Sequence, residues 1–118
     1  MKPIFICYDR CSTCKKAEKW LTDNNIEFEK RSITEQNPSA AEIAEWMAKS
    51  GLPIRRFFNT SGIKYRELSL KDRVATDSTE NLLALLATDG MLVKRPLLVT
   101  DGNVLAGFRE AEYSSELL

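Results

Sequence analysis

The sequence contains no histidine. This absence excludes catalysis by Cys-His pairs or Ser-His-Asp triads and every metal site that depends on imidazole ligands. The acidic residues are scattered and suggest no metal cluster. Any reaction must therefore use cysteine, arginine, lysine, carboxylate, tyrosine or backbone groups.

A net charge and a long apolar segment are also missing. The 17 basic residues balance the 17 acidic ones, so there is no overall basic character that would favour direct nucleic-acid binding. No apolar run approaches the roughly 20 residues that span a membrane, and the chain start is too short for a signal peptide. We therefore expect a cytoplasmic protein. In such a reducing compartment, cysteines indicate redox chemistry or metal binding more than a disulfide framework.

The length of 118 residues predicts one domain, and its N-terminal part predicts a β-α-β unit. Residues 4–8 are apolar, β-branched and aromatic, which is typical of a buried strand. A helix is predicted from about 12 to 24, with apolar residues on one side. The alternation over 26–33 predicts a second strand.

The middle of the chain predicts helices. Ser39 and Glu42 match a capping box, and the helix that they begin ends at Gly51. Residues 53–58 are interpreted as a helical turn and 59–62 as a loop. A further helix is predicted over 81–88, capped by the polar residues just before it.

The C-terminal part predicts a β-hairpin, over 97–100 and 103–106, and a last helix from about Arg109 or Glu110 to Leu117. The whole order predicts an α/β fold with a thioredoxin-like (glutaredoxin-like) mixed four-stranded sheet. Residues 1–35 and 92–118 would form its core, and a helical subdomain over 36–91 would be inserted between them.

Cys11 and Cys14 form a CxxC motif at the junction of the first strand and helix. Free backbone N–H groups and the helix dipole stabilise a thiolate at such a position, so we expect Cys11 to be reactive. Two buried structural cysteines are the alternative, whereas zinc would need further soft ligands that the chain lacks. Cys7 lies mid-strand and is interpreted as a small hydrophobic residue, with a second resolving role left open.

Two basic segments accompany the cysteines. Pro96 just before a strand suits a cis peptide in a turn facing the active cysteine, which would bring Arg95 near Cys11 to bind an oxyanion and lower the thiol pKa. A solvated surface arginine is the alternative. Arg55 and Arg56 precede two phenylalanines; we favour packed aromatic rings with solvated arginines over a nucleic-acid or partner surface.

Four motifs together resemble the ArsC/Spx family over nearly the whole chain. They are Tyr8-Asp9-Arg10-Cys11-Ser12-Thr13-Cys14-Lys15-Lys16-Ala17, Phe57-Phe58-Asn59-Thr60-Ser61-Gly62, Tyr65-Arg66-Glu67-Leu68 and Lys94-Arg95-Pro96-Leu97. The resemblance implies a thioredoxin fold with a helical insertion and is greatest to small ArsC-like proteins of about this length.

The arsenate reductases of this family imply a nucleophile at Cys11 and oxyanion-binding arginines at Arg95 and Arg109. Glutathione, with glutaredoxin, completes the reduction in those enzymes. Their further arginines fall at Lys15 and Asn59, so we expect these two residues beside the anion as well. Their histidine four residues before the nucleophile is Cys7 here.

The Spx regulators imply a different function, in which Cys11 and Cys14 form a disulfide switch. They bind the C-terminal domain of the RNA polymerase α-subunit through a surface with a glycine matching Gly51. We expect a thiol-disulfide oxidoreductase with Cys14 as the resolving thiol, a small oxyanion or disulfide substrate, and no cofactor besides glutathione or a glutaredoxin- or thioredoxin-type reductant. A redox-switch regulator is the alternative, and a thioredoxin-like domain whose CxxC motif titrates but serves no dedicated substrate is a third hypothesis.

Overall fold

A four-stranded mixed sheet organises the chain, of which the computed structural model describes residues 2–118. The strand order is β2-β1-β3-β4; β1 and β2 are parallel, and the other neighbours are antiparallel. The strands are β1 Ile4–Cys7, β2 Glu29–Ser32, β3 Leu97–Val99 and β4 Val104–Ala106. The β-α-β crossover followed by a hairpin is the predicted thioredoxin-like arrangement.

Six α-helices and two 3-10 turns complete this part of the chain. The helices are α1 Ser12–Asp23, α2 Ala40–Ser50, α3 Ile63–Glu67, α4 Leu70–Thr76, α5 Thr79–Leu86 and α6 Glu110–Leu117, and the 3-10 turns are Ile54–Phe57 and Gly90–Leu92. Helices α2 to α5 lie between β2 and β3 in sequence and are called the insertion below. Within residues 2–118, no helix is both long and apolar enough to cross a bilayer.

The sheet separates two hydrophobic cores, because successive strand residues point to opposite faces. The thiol-side core contains the buried residues Phe5, Cys7, Cys14, Ala17, Leu21, Leu98, Leu105 and Tyr113. The insertion-side core includes Ile6, Ile43, Trp46, Phe57, Phe58, Leu82, Leu86, Val93, Leu97 and Val99. The reactive-thiol motif and the insertion therefore pack on opposite sides of one sheet.

The predicted caps of the insertion are confirmed. Ser39 and Glu42 form the reciprocal capping box of α2, and Gly51 ends that helix with a φ of 72°. Ser78 caps α5 by accepting a hydrogen bond from the Asn81 backbone N–H. These signals are local, so the sequence alone determines them.

The predicted elements need three corrections. The helix predicted over 81–88 is α5, which covers Thr79–Leu86 because Ser78 is its N-cap. The second strand was predicted over 26–33 but covers only Glu29–Ser32, because the Ile26 N–H donates to the Leu21 carbonyl at 3.0 Å in the turn that closes α1. Helices α3 and α4 were not predicted. They are short, and each buries a single residue, Tyr65 or Leu70, which leaves little periodicity in the sequence.

Candidate active site around Cys11

Cys11 is the N-cap residue of α1. A turn after β1 places it there, with the Cys11 N–H donating to the Tyr8 carbonyl at 3.0 Å. The Cys11 Sγ accepts a hydrogen bond from the Cys14 backbone N–H at 3.3 Å. The sulfur therefore occupies the place of a normal N-cap oxygen, where unpaired N–H groups and the helix dipole favour negative charge.

The pKa of the Cys11 thiol is lowered from its ordinary value. Partial burial of the sulfur opposes ionisation and is the largest single influence. It is outweighed by hydrogen bonds from the Cys14 side chain and from the backbones of Cys14 and Thr13, together with the positive charge of Arg95. Cys11 is therefore predisposed to be a thiolate.

Cys14 has the opposite environment. It is only 3% exposed within the thiol-side core, and its Sγ accepts a hydrogen bond from the Tyr8 N–H at 3.4 Å. Burial raises the pKa of Cys14 to about 12, and the adjacent Cys11 sulfur contributes to the rise. Both cysteines are free thiols, so the motif pairs a thiol of lowered pKa with one that holds its proton.

Cys7 packs as the predicted small hydrophobic residue. It is 3% exposed and belongs to the same core as Cys14. Burial raises the pKa of its thiol, with Lys30 opposing the rise. A neutral thiol is therefore favoured at Cys7.

Cys11 opens into a cleft of about 580 Å³ between the core of the fold and the insertion. Four chain segments meet at this cleft: the start of α1, the segment from the first 3-10 turn to the following loop, the residues before β3 and the residues around the end of β4. The lining residues are Cys11, Thr13, Arg55, Arg56, Phe58, Asn59, Thr60, Ser61, Lys94, Arg95, Ala106, Gly107, Phe108 and Arg109.

Arg95 lies beside Cys11, as predicted from the sequence. The Arg95–Pro96 peptide is cis, which confirms the predicted turn. The guanidinium lies over the Tyr8 ring, with its carbon 5.0 Å from the ring centroid, and donates to the Met91 carbonyl at 3.4 Å. These contacts hold the arginine where its charge acts on the Cys11 sulfur.

Asn59 is held in the cleft by backbone pairing of the insertion with the segment before β3. The Asn59 N–H donates to the Leu92 carbonyl at 2.8 Å, and the Lys94 N–H donates to the Phe57 carbonyl at 2.8 Å. Phe58 and Val93 form an isolated antiparallel bridge in the same register. The insertion is thereby fixed against the residues that lead to the cis peptide.

The four residues predicted to bind an anion do not all meet. Arg95, Asn59 and Arg109, which is the N-cap residue of α6, line the cleft. Lys15 is exposed on α1 and is not among the lining residues. An anion-binding role for each of the four stays a prediction.

Sequence reasoning missed two arginines of the cleft. Phe57 and Phe58 are buried and Arg55 and Arg56 are exposed, as predicted, but the two arginines also line the cleft, which was not predicted. The Arg56 Nη2 atom donates to the Ala106 carbonyl at 3.5 Å. The buried aromatic pair was the only signal; it predicts an anchored turn but not which surface that turn faces.

The described residues 2–118 contain no group of three or more cysteine, aspartate or glutamate side chains placed to hold a metal ion. The cleft instead combines one activated thiol with five cationic side chains: Arg55, Arg56, Lys94, Arg95 and Arg109. Such an arrangement suits an anionic molecule that reacts with sulfur.

The sequence is similar to a known protein family and to individual bacterial proteins. The model of the ArsC family matches residues 7–115. The uncharacterized protein YusI of Bacillus subtilis is 46% identical over 113 residues, covering 96% of each chain. The regulatory protein MgsR of the same organism is 26% identical and covers 92% of this chain and 84% of its own.

Solved structures show the same fold. A protein related to the ArsC family from Bacteroides fragilis has a TM-score of 0.94 and 50% identity, covering 98% of this chain and 97% of its own. A protein described as a possible arsenate reductase from Streptococcus mutans has a TM-score of 0.88 and 40% identity, covering 98% of both chains.

Proposed function

The chain belongs to the ArsC family, and from this premise we propose that it is a thiol-disulfide oxidoreductase that uses Cys11 as its nucleophile and Cys14 as its resolving thiol. The observation that carries the proposal is the asymmetry of the two cysteines. Cys11 borders the cleft and has a lowered pKa, whereas Cys14 is buried beside it and has a raised one.

In the first step, the Cys11 thiolate attacks one sulfur of a substrate disulfide. The substrate S–S bond breaks, a mixed disulfide forms on Cys11, and the leaving thiolate takes a proton from solvent. A lowered pKa increases the fraction of Cys11 that is thiolate at a given pH, and the thiolate is the form that attacks.

In the second step, Cys14 loses its proton and attacks the Cys11 sulfur. This attack forms the Cys11–Cys14 disulfide and releases the second half of the substrate as a thiol. The adjacent Cys11 thiolate helps to raise the pKa of Cys14 before the reaction. Its conversion to a neutral mixed disulfide removes that contribution, so Cys14 becomes easier to ionise only when it is needed.

An oxyanion such as arsenate is the second substrate class within the proposal. The Cys11 thiolate would displace water from the protonated oxyanion, and attack of Cys14 on the Cys11 sulfur would then release the product reduced by two electrons. Arg95 and Arg109 would hold the anion, with Asn59 as a hydrogen-bond donor, since all three line the cleft. Either substrate leaves a disulfide, which glutathione or a glutaredoxin- or thioredoxin-type protein would reduce.

The test uses single cysteine variants and intact-mass spectrometry with 2-hydroxyethyl disulfide. Cys14→Ser should accumulate the mixed disulfide on Cys11, because its resolving thiol is gone. Cys11→Ser should lower the rate of modification by roughly a thousandfold or more, as expected for loss of a nucleophile. Cys7→Ala is the matched control and should react like the wild type. Free turnover by Cys14→Ser would contradict the role of Cys14.

A redox-switch regulator of the Spx type is the second candidate, favoured by the regulatory relative MgsR. Gly51 would lie on its partner surface. This residue is exposed, and no heavy atom beyond Gly51 and its two chain neighbours lies within 4 Å of the position that a Cβ would take. A pull-down with the C-terminal domain of the RNA polymerase α-subunit, with and without oxidant, tests this candidate. Absence of binding in both states would eliminate it.

A further inference from the structure

Three cations of the cleft have no part in the reaction described above. They are Arg55 and Arg56, from the 3-10 turn of the insertion, and Lys94, from the segment before β3. Within residues 2–118, none of the five cleft cations is engaged in an ion pair, although surface pairs occur elsewhere, such as Lys19 with Asp23. No carboxylate lines the cleft among these residues either. No carboxylate of these residues therefore neutralises the positive charge of the cleft.

The cleft cations are distributed along the cleft instead of gathered at the sulfur. Arg95 lies near the sulfur, because its positive charge helps to lower the pKa of Cys11. Arg55 also lines a neighbouring apolar pocket that Cys11 does not line, so it lies on the side of the cleft that adjoins that pocket. Arg56 is directed to the end of β4 by its hydrogen bond to the Ala106 carbonyl.

Lys94 lines the same cleft and lies next to Gly107. Gly107 follows β4 with a φ of 86°, and a Cβ there would lie 3.3 Å from the Lys94 Cε. The missing side chain lets the lysine stem cross this point of the cleft. The Gly107 carbonyl is held from behind by the buried Tyr113 hydroxyl, which donates to it at 3.1 Å.

The size of the cleft exceeds what a single oxyanion needs. A volume of about 580 Å³ lies within the range of roughly 300–1,000 Å³ typical of pockets for whole small organic molecules. The lining also carries hydrogen-bonding side chains at Thr13, Asn59, Thr60 and Ser61. Guanidinium groups, an ammonium group and hydroxyls without carboxylates match the chemistry of phosphate recognition.

We propose that Arg55, Arg56 and Lys94 form a second anion subsite, which binds the phosphate groups of a phosphorylated organic disulfide while its sulfur reacts with Cys11. This inference rests on the proposed function, because Cys11 performs the same attack. The substrate disulfide gains two electrons and yields two thiols, and Cys11 and Cys14 lose two electrons and become a disulfide. Glutathione or a glutaredoxin- or thioredoxin-type protein then supplies two electrons that reduce the Cys11–Cys14 disulfide.

The experiment compares two probes on the wild type and on the Arg55→Gln/Arg56→Gln double variant. Coenzyme A disulfide carries phosphates, and 2-hydroxyethyl disulfide is neutral. The second-order rate of Cys11 modification is measured by acid quenching and intact mass. The double variant should react about tenfold more slowly with coenzyme A disulfide, the lower end of what hydrogen bonds to charged groups contribute. Its rate with the neutral probe should stay within about twofold, since Cys11 keeps its surroundings.

The matched control is Lys19→Gln/Arg73→Gln, which removes the same charge from two ion-paired surface residues outside the cleft. It should leave both rates unchanged. Equal slowing of both probes in Arg55→Gln/Arg56→Gln, or slowing with neither, would overturn the subsite. A third probe, the carboxylate-bearing dithiodiglycolate, would overturn the assignment to phosphate if it showed the same dependence on the two arginines.

A binding measurement separates the subsite from the reaction. Calorimetry with pyrophosphate on Cys11→Ser should show binding that weakens about tenfold when the two arginines are also replaced. Failure of the wild type to react with any disulfide, together with this arginine-dependent binding, would refute the oxidoreductase and leave the subsite standing. Pyrophosphate binding that is insensitive to Arg55 and Arg56 would refute the subsite alone.

Discussion

The two faces of the sheet differ in what they bring to the cleft. The face with α1 and α6 supplies the sulfur and controls its charge by burying Cys14 and leaving Cys11 at a helix N-terminus. The opposite face anchors the aromatic pair Phe57 and Phe58, and the 3-10 turn that ends at Phe57 presents two arginines. One core therefore positions the thiol, and the other positions the two arginines.

The largest expected effect is a loss of folding stability on replacing a phenylalanine of the insertion-side core. Phe57 is fully buried in the insertion-side core, so Phe57→Ala should lower the free energy of unfolding by about 3–5 kcal/mol. Under conditions where the variant is folded, the alkylation pKa of Cys11 should stay near that of the wild type. Urea unfolding and pH-dependent alkylation measure the two quantities.

Phe5→Ala is the matched variant on the other face. Phe5 is equally buried, but it shares the thiol-side core with Cys14. Phe5→Ala should therefore lose a similar amount of stability and should also change the alkylation pKa of Cys11. An equal change of the Cys11 pKa in Phe57→Ala and Phe5→Ala would contradict the claim that only the thiol-side core controls this thiol.

The middle effect concerns the buried thiol. Because the pKa of Cys14 is raised to about 12 in the folded protein, folded Cys14 keeps its proton when the unfolded cysteine loses it above about 8.5. The stability that it contributes is present below that pH and is lost as the pH rises towards the folded pKa.

The measurement for Cys14 is a difference between two proteins. The free energy of unfolding of the wild type relative to Cys14→Ala should fall by about 2 kcal/mol between about pH 8.5 and 10, at 1.36 kcal/mol per pKa unit. Denaturant titrations at both pH values give this difference. A difference that stays constant would show that Cys14 ionises normally in the folded state.

The smallest effect tests a contact between the core and the insertion. Arg31 in β2 donates to both carboxylate oxygens of Glu42 in α2, at 2.8 and 2.9 Å, and this pairing lowers the pKa of Glu42 to about 2. Glu42 is 38% exposed, so solvent screens the pair. Glu42→Gln should therefore lower the free energy of unfolding by no more than about 1 kcal/mol at pH 7.

Lowering the pH should remove the stability that the ionised Glu42 carboxylate contributes. The folded pKa of Glu42 is depressed, so its stabilisation is present above about 4.3 and is lost as the pH falls towards 2. The wild type and Glu42→Gln should become equally stable over this window. If the wild type and Glu42→Gln still differed in free energy of unfolding at low pH, the stabilisation would not come from the charge of Glu42.

The comparison also explains how far the sequence could be interpreted. The thiol face was predicted well because its signals are local: a strand, a CxxC motif at the helix start and Pro96 before the next strand. The family resemblance further implied Arg109, which lines the cleft. These features depend on neighbouring residues and on one crossover of known hand.

The insertion face was predicted less completely because its geometry depends on tertiary contacts. Arg55 and Arg56 belong to a turn that backbone pairing of Phe57 with Lys94, far apart in sequence, fastens next to the cleft. Helices α3 and α4 meet at Ser69, which has a φ of 52°, and neither has a side-chain cap. No local pattern encodes either arrangement.

The alkylation pKa of Cys11, measured in reduced Cys14→Ser protein, tests the central claim most directly. Serine keeps a side-chain donor at position 14, so the Cys11 pKa should lie below the ordinary thiol value of about 8.5. Cys14→Ala and Arg95→Gln should each raise it, because each removes one of the groups that stabilise the thiolate. A value at or above about 8.5 in Cys14→Ser would contradict an activated nucleophile at the start of α1.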